Sequence, residues 1–283
     1  MSPDALDHAL AAHPVSAGAF IVTLYGDVVA PRGGEIWMGN IISACAAVGL
    51  SESRVRTAVS RLVAAERIEG VKDGRRSYYR LTPSAAEEFQ RAARLIYRRP
   101  RAEPLKGWHL VALPQGPGRE ALVARLTRLR FGMADPYLAI LPDRGDPLPR
   151  LGAPHFRATT DDDLTEMARA AWPLEALAER MTRFMTAFAP LDGVSCSPEE
   201  ALGLRLLLVH VYRDIALSDP ALPLGMLPED WQGPAVRALF ARLYLHLTPG
   251  ADAAVARDFV DRDGPLRADP TRTARRIADL SYD

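Results

Sequence analysis

Cationic side chains are concentrated in one short part of this chain. Residues 51–101 contain thirteen Arg and Lys against six Asp and Glu, although the formal net charge of all 283 residues is zero. Two stretches carry most of them, SRVRTAVSR (53–61) and KDGRRSYYR (72–80). Guanidinium groups and hydroxyls bond phosphate oxygens and base edges. Solvated helix faces can give a similar count, but a local positive excess is typical of a surface that binds a polyanion.

The stretch 51–66, SESRVRTAVSRLVAAE, has the pattern of a helix. Ser51 is a favourable N-cap, and Val55, Ala58, Val59 and Leu62 form one apolar stripe. The opposite face lacks acids after the first turn, and we expect it to lack the i,i+4 Glu–Arg pairs of an ordinary solvent face. Arginine can bond two acceptors of guanine, and Ser or Thr reach phosphates or base edges. The candidate DNA contacts on this helix are Ser53, Arg54, Arg56, Thr57, Ser60 and Arg61.

The stretch 67–81 is predicted to form a β-hairpin. Its strands cover 67–72 and 75–81 and meet at Asp73-Gly74, a preferred two-residue turn. Cations at the tip would lie over the phosphate backbone. Tyr78 and Tyr79 point to opposite faces of the strand, so one packs on the core and the other is half exposed. The candidate DNA contacts of the hairpin are Lys72, Arg75, Arg76 and Tyr78.

Two apolar helices are predicted before these elements. The first, 17–29, places Phe20, Ile21, Leu24 and Val28 inward, and the second, 37–48, ends at Gly49, which suits a left-handed C-cap. Helices, a recognition helix and a basic hairpin in this order predict a winged helix-turn-helix. A further helix, capped by residues 82–84 and running to 97, completes a DNA-binding domain over residues 1–99.

Three segments carry a resemblance to a known family. They are IVTLYGDVVAPRGGEIWMGNII (21–42), SESRVRTAVSRLVAAERIEGVKDGRRSYYRLT (51–82) and LLVHVYRDIALSDPALPLGMLPEDWQG (207–233). These resemble the PaaX family, bacterial repressors of phenylacetic acid degradation operons, over roughly residues 17–260. The resemblance implies a homodimer that binds double-stranded operator DNA. It also implies release from the operator by an aryl-acyl-CoA such as phenylacetyl-CoA.

The middle of the chain, residues 100–172, is predicted to be a ferredoxin-like α/β sandwich. After a Pro- and Arg-rich linker at 98–104, strands at 107–114, 134–143 and 153–160 alternate with helices at 118–132 and 161–172. Asp161, Asp162 and Asp163 complement the positive end of the second helix. A metal-dependent nuclease of this fold would need a carboxylate at the end of the first strand, where the chain has LVALPQG. The resemblance implies dimerisation for this domain.

Residues 173–283 are predicted to be an all-helical, effector-binding domain. Helices are expected at 173–190, 197–218 and 233–247, with the apolar connection 219–231 packed over them. Phosphates of a coenzyme A ester favour cations, and its aryl group needs an apolar slot. From the resemblance we assign the effector contacts Arg205, His210, Arg213, Trp172 and Trp231. The alternative is that His210 and Arg213 form a hydrogen-bonded packing pair with Asp219. The segment after Val255 carries no motif that we can place.

Several function classes lack their sequence signals. The chain has no G-x-S-x-G, HExxH, Walker or Rossmann motif, and Cys45 and Cys196 are far apart. We therefore expect no enzyme, metal or cofactor. No run of about 20 apolar residues occurs and the N-terminus has acids, so the expected location is cytoplasmic. The predicted class is an α+β multidomain repressor. A metal-dependent nuclease with a winged-helix targeting module and a ligand-independent DNA binder remain the alternatives.

Overall fold

The computed structural model describes residues 4–98, 105–160 and 162–281. The chain is mixed α/β and forms two compact units. The first unit comprises residues 1–99, 183–214 and 235–283, and the second comprises 100–182 and 215–234. No helix within the described ranges is long and apolar enough to cross a membrane.

The chain begins with two helices, α1 (Asp4–Ala12) and α2 (Ala17–Leu24). Helix α2 continues through a π-helical turn, Tyr25–Val29, and a 3-10 turn, Ala30–Arg32. The four apolar residues predicted to face inward, Phe20, Ile21, Leu24 and Val28, are completely buried, which confirms the first core helix. A π turn places one extra residue within the turn, and here that turn carries the buried carboxylate of Asp27.

The next elements are β1 (Glu35–Trp37), α3 (Met38–Ala46) and α4 (Glu52–Ala64). Helix α3 begins one residue later than predicted because Trp37 is extended and pairs with Tyr78 of a later strand. Gly49 has φ +76°, as expected of a residue that ends a helix in the left-handed region. Three residues of the predicted stripe on α4, Val55, Ala58 and Val59, are buried, while Leu62 is partly exposed.

The predicted hairpin is confirmed, with its turn shifted by one residue. Strands β2 (Ile68–Asp73) and β3 (Arg76–Leu81) are antiparallel, and β3 lies between β1 and β2. Asp73 pairs with Arg76, so the turn residues are Gly74 and Arg75 rather than Asp73 and Gly74. Gly74 has φ +58°, and a glycine-led two-residue turn requires this left-handed conformation at its first position. Helix α5 (Pro83–Ile96) follows, and the Thr82 hydroxyl accepts a hydrogen bond from the Ala85 N–H at 3.3 Å.

The second unit contains β4 (Trp108–Ala112), α6 (Arg119–Arg128), β5 (Gly132–Asp135), β6 (Leu138–Pro142), β7 (His155–Ala158) and α7 (Thr165–Ala171). Its sheet has the order β5-β6-β4-β7, with every adjacent pair antiparallel. The single strand predicted at 134–143 is wrong. A turn at Pro136 and Tyr137 divides it, since proline cannot donate to the ladder and the Asp135 carboxylate accepts from the Tyr137 N–H at 2.7 Å.

Two other predictions concern the start of the helix expected at 161–172 and the packing of the connection 219–231. Helix α7 begins at Thr165, not at 161, because the Asp163 carboxylate accepts the Thr165 N–H at 2.9 Å in a turn before the helix. Asp161 lies outside the described residues, and so does most of the predicted linker at 98–104. The connection 219–231 packs against helix α7 and the sheet. Its Leu222 and Leu227 join Trp108, Ile140 and Trp172 in one core cluster on the α7 side of the sheet. Residues of α6 cover the opposite side.

The last elements are α8 (Leu174–Phe188), α9 (Pro198–Ser218), α10 (Gly233–Asp258), β8 (Val260–Asp261), β9 (Gly264–Pro265) and α11 (Pro270–Leu280). The predicted helix 197–218 is confirmed, and its first turn forms a capping box between Ser197 and Glu200. Helix α10 runs through Pro249 well past the predicted end at 247. The segment after Val255 forms a two-stranded hairpin and a helix.

The predicted boundary at residue 173 does not separate two packing units. Residues of the expected domain 173–283 contribute to both units, and 183–214 and 235–283 pack with the N-terminal segment. The physical reason is electrostatic. Arg205 of α9 is 1% exposed and pairs with Asp27 of the π turn as well as with Asp252 of α10, so moving α9 away from the N-terminal helices would separate two buried charges, Arg205 and Asp27.

Candidate nucleic-acid interface

The outward face of α4 presents the six side chains proposed as DNA contacts. Ser53, Arg54, Arg56, Thr57, Ser60 and Arg61 are all exposed. The buried stripe that begins at Val55 fixes the rotation of the helix about its axis, so these side chains share the accessible surface. Helix α4 is 13 residues long and α3 precedes it in the chain.

Local hydrogen bonds restrict what this face can do. Arg56 donates from Nε to Glu52 Oε1 at 2.7 Å, and its Nη2 lies 2.7 Å from the same oxygen. The expectation that i,i+4 pairs are missing is therefore wrong, because Glu52 is the first helical residue and lies one turn before Arg56. The Thr57 and Ser60 hydroxyls donate to the backbone carbonyls of Ser53 and Arg56 at 2.9 and 3.1 Å. Both hydroxyl oxygens then face outward as acceptors.

The hairpin tip forms a second cationic surface. Lys72, Arg75 and Arg76 are exposed. The Arg76 guanidinium carbon lies 4.9 Å from the centroid of the Trp37 ring, a cation–π contact that holds this side chain against the start of α3. Tyr78 was the wrong tyrosine to assign to DNA. Its ring is 4% exposed because Tyr78 lies opposite Trp37 and Val71, whereas Tyr79 is partly exposed.

A network of buried charges lies inside the first unit, centred on Asp27. The Asp27 carboxylate accepts hydrogen bonds from the hydroxyls of Tyr97 and Tyr244, each at 2.9 Å. Arg276 Nη1 lies 3.0 Å from Oδ1, and Arg205 Nε lies 3.0 Å from Oδ2. Burial by itself raises the pKa of Asp27, but the two guanidinium groups outweigh it and hold the pKa below its ordinary value. Asp27 is therefore a buried anion.

A second carboxylate completes this network. Asp252 Oδ1 accepts from Arg32 Nη2 and from Arg205 Nη1, both at 2.8 Å. Arg205 thus bridges Asp27 and Asp252, and burial leaves its guanidinium no room for another ligand. In this conformation Arg205 pairs with two carboxylates, and its assignment as an effector contact stays a prediction.

His210 has a different partner from the one expected. Its Nδ1 lies 2.9 Å from the Thr23 hydroxyl, and its ring packs on Phe20, so it joins α9 to α2 instead of pairing with Arg213 and Asp219. The Asp219 carboxylate accepts the Ala221 N–H at 2.8 Å. Burial, with a smaller effect from the charge of Arg213, lowers the pKa of His210 to about 4.

Two of the three remaining predicted effector contacts, Trp172 and Trp231, lie in the second unit. Trp172 is buried, and its indole N–H donates to the Arg130 carbonyl at 3.0 Å. Trp231 packs against the same cluster of the sheet. Arg213 belongs to the first unit and is half-buried.

The cavities of the first unit are small in this conformation. One is apolar and has a volume of about 10 Å³, and its lining residues include Phe188, Leu204 and Leu243. The other, also of about 10 Å³, lies at the buried charge network. A cavity of this size holds about one water molecule. Neither can admit an aryl group or a coenzyme without rearrangement.

The fold also brings together residues that the sequence did not connect. His109 Nδ1 lies 3.0 Å from His155 Nε2 across two strands, and Asp143 lies 3.4 Å from His109 Nε2. Burial lowers the pKa of His109. No group of three or more His, Cys, Asp or Glu among the described residues is arranged to hold a metal ion. The buried network was likewise missed, although TLYGD (23–27) contains Asp27 and RGGE (32–35) begins with Arg32.

Comparison with known proteins identifies the family. The model for "PaaX-like protein" matches residues 16–85, and that for "PaaX-like protein C-terminal domain" matches residues 172–257. The chain is 31% identical to "Transcriptional repressor PaaX" of Escherichia coli (strain K12) over 301 residues, which covers 98% of this chain and 95% of the relative. The chain therefore belongs to the PaaX family. A solved structure of an uncharacterized protein from Mycobacterium tuberculosis is 23% identical, with a TM-score of 0.49, over 76% of this chain and 89% of that one.

Removing the charge of Asp27 should strongly destabilise the first unit. In Asp27→Asn, Arg205 and Arg276 remain buried without their shared anion, and breaking a buried pair typically costs about 3–5 kcal/mol. Asp192→Asn is the matched control, since Asp192 forms an exposed pair with Arg242 at 3.1 Å and such pairs contribute up to about 1 kcal/mol. Thermal and urea unfolding of both variants measure the difference. Equal stability of the two variants would contradict the role of the network.

The stability of the first unit should fall between about pH 6.5 and pH 4 because of His210. The unfolded chain binds a proton near pH 6.5, whereas the folded protein does so only near pH 4. The free energy of unfolding is therefore highest above pH 6.5. It falls by up to about 3 kcal/mol as the pH decreases to about 4. Urea unfolding at several pH values should show a shallower decline in His210→Gln than in the wild type. His246→Gln, at an exposed histidine, should keep the wild-type profile.

Proposed function

We propose that this protein is a DNA-binding transcriptional repressor that controls genes of phenylacetate catabolism. The observation that carries this proposal is the pair of exposed cationic surfaces, on α4 and at the β2–β3 tip, in a chain of the PaaX family. A relative that aligns with nearly the whole chain is named a transcriptional repressor. In this proposal α3, α4 and the sheet β1-β3-β2 are a winged helix-turn-helix, and the hairpin is its wing.

Helix α4 is the proposed recognition helix. A helix of about 10–12 Å diameter fits the major groove, which is about 12 Å wide. Arg54, Arg56 and Arg61 supply donors for guanine or phosphate. The outward oxygens of Thr57 and Ser60 are acceptors, since their protons are donated to the helix backbone, so they suit the amino groups of cytosine or adenine.

The wing tip is the proposed phosphate contact. Lys72 and Arg75 lie at the end of the hairpin, and Arg76 is held on Trp37. Contacts with phosphates fix the register of the protein on DNA without reading its sequence. Because the turn residues are Gly74 and Arg75, Arg75 lies at the tip of the hairpin, which supports its proposed role as a phosphate contact.

The second unit is the proposed dimerisation module. Counted along the chain, its strands have the order 2-3-1-4 with a helix between the first two, which supports the ferredoxin-like arrangement expected from the sequence. A two-fold dimer would carry two copies of α4. These would bind two half-sites separated by about one helical turn of DNA or a multiple of it, roughly 34–36 Å.

The proposed effector is an aryl-acyl-CoA, such as phenylacetyl-CoA. Because two cavities of the first unit hold about one water molecule each, a ligand that enters either of them would bind a conformation other than this one. Release from DNA then follows from a population shift, in which the ligand favours the conformation with lower operator affinity. A useful switch needs a coupling of about 1–3 kcal/mol between ligand and DNA.

Binding to DNA from upstream of the protein's own operon, across a salt series, tests the proposal. About six phosphate contacts should give a slope of log K against log salt near −5, and each contact removed should reduce the slope by about 0.9. In a dimer Arg75→Gln removes two contacts and should therefore give a slope near −3.5. Phenylacetyl-CoA should weaken binding about 5- to 150-fold, while coenzyme A or phenylacetate alone should do less.

Arg128→Gln is the charge-matched control, since Arg128 is an exposed arginine of α6 in the second unit. It should leave the slope unchanged. If Arg75→Gln and Arg128→Gln behave alike, the wing is not the DNA contact. If DNA binds with the expected slope and phenylacetyl-CoA has no effect, the effector part of the proposal fails and the DNA-binding part stands.

Glu52 should act as a determinant of DNA specificity through Arg56. Its carboxylate repels phosphates and occupies Arg56, so Glu52→Gln should tighten binding to unrelated DNA a few-fold and lower the ratio of operator to unrelated DNA affinity. Glu87→Gln removes the acid of another exposed i,i+4 pair, with Arg91 of α5, and serves as the control. Fluorescence anisotropy with operator and scrambled duplexes measures both ratios. Identical ratios in the two variants would show that Arg56 does not approach the bases.

A further inference from the structure

The C-terminal residues 258–280 wrap around the N-terminal elements of the first unit, and we call this segment the clasp. It consists of the end of α10, the hairpin β8–β9 and helix α11. Its apolar anchors Phe259, Leu266 and Leu280 are buried. Every partner described below lies between residues 26 and 40, more than 210 residues earlier in the chain.

The first attachment is to α3. The amide of Asn40, which is 5% exposed, donates from Nδ2 to the Asp258 carbonyl at 2.9 Å and accepts the Val260 N–H at Oδ1 at 3.0 Å. The Asn40 amide thus bonds one carbonyl and one N–H of the clasp backbone, as a neighbouring β-strand would. Since α3 precedes α4, the contact fixes the helix that supports the proposed recognition helix.

The second attachment is to β1, an edge strand of the wing sheet. Glu35 Oε1 accepts from Arg262 Nε at 2.6 Å and from the Arg262 backbone N–H at 3.4 Å. Glu35 lies opposite Arg80 of β3, the central strand of that sheet. The side chain of Glu35 is 12% exposed and that of Arg262 is 40% exposed, so the pair lies at the edge of the protein interior.

The third attachment runs through the turns after α2. The Asp269 N–H donates to the Pro31 carbonyl at 2.9 Å, and Arg272 donates to the Ala30 carbonyl at 3.0 Å. Arg276 donates to the carbonyls of Asp27 and Gly26 and bonds the Asp27 carboxylate. Helix α11 is thereby fixed to the backbone of the π turn as well as to its buried anion.

We propose that the clasp positions the wing and α4 for DNA, so that Glu35 and Arg262 are positioning residues for operator binding. The inference rests on the proposed function, and it makes residues 258–280 part of the DNA-binding module. The N-terminal winged helix alone would then be an incomplete module. Arg262 need not touch DNA to act, because it holds β1 and therefore the wing sheet.

The test uses the opposite charges of Glu35 and Arg262. Glu35→Gln removes a negative charge, so simple electrostatics predicts tighter DNA binding, whereas loss of positioning predicts weaker binding. We expect Glu35→Gln and Arg262→Gln each to weaken operator binding about three- to fivefold, as expected for the loss of one partly exposed ion pair. The double variant should bind no more weakly than either single variant, and the salt slope should stay at the wild-type value in all three.

Arg257→Gln is the matched control. Arg257 lies in the last turn of α10 and pairs with Glu199 and Asp258, both exposed, so it carries the same charge as Arg262 without contacting β1. Hydrogen exchange at the amides of β1 and β3 gives a second readout and should be faster in the Glu35 and Arg262 variants but not in Arg257→Gln. Circular dichroism and thermal unfolding verify that each variant is folded.

Two outcomes overturn the inference. If Arg262→Gln reduces the salt slope by about 0.9 for each protomer and Glu35→Gln tightens binding, Arg262 is itself a phosphate contact. If both variants bind operator DNA as the wild type does, the clasp has no positioning role. Failure of the wild-type protein to bind DNA at all would instead reject the proposed function.

Discussion

The fully buried carboxylate of Asp27 is the interaction on which the first unit depends. Side chains from α5, α9, α10 and α11 converge on it through Tyr97, Arg205, Tyr244 and Arg276. Taking an anion out of water is expensive, and the expense is offset only if every partner is in place. Each of the four elements therefore has one arrangement in which the charge of Asp27 is satisfied. A buried ion network of this kind fixes the geometry more than it adds stability.

This constraint explains why the proposed DNA-binding surface is not a separate N-terminal module. Helix α2 and its π turn pack beside α4, so the network orders the support of the recognition helix. Asp252 extends the network to Arg32, at the turn that leads to β1. The clasp adds contacts to Asn40 and Glu35 on the same side of the chain. The basic residues of α4 and the wing can be exposed because the elements that carry them are fixed by contacts on their buried side.

The same arrangement suggests how a ligand could act on DNA binding. Arg205 and Tyr244 belong to the helices that the family resemblance assigns to the effector, and both bond the Asp27 carboxylate. A movement of α9 or α10 changes the surroundings of Asp27, since Arg205 of α9 forms an ion pair with its carboxylate and Tyr244 of α10 donates a hydrogen bond to it. A packed network of this type has alternative arrangements instead of continuous deformation, as a population shift requires.

The sequence by itself determined the local elements of the DNA-binding region and the family. The apolar stripe from Val55, the glycine at 49 and the Asp-Gly hairpin signal depend on neighbours within one or two turns, so periodicity and turn chemistry were sufficient. The proposed contacts on α4 and at the tip are exposed as expected, apart from Tyr78, whose facing is set by strand register. The tertiary structure decided the rest. It paired Arg205 with Asp27, joined His210 to Thr23, and assigned residues 183–214 and 235–283 to the N-terminal unit. These outcomes depend on charges and hydrogen-bonding groups some 180 to 250 residues apart. Which of them meet is fixed only when the core excludes water and each buried charge must find a partner.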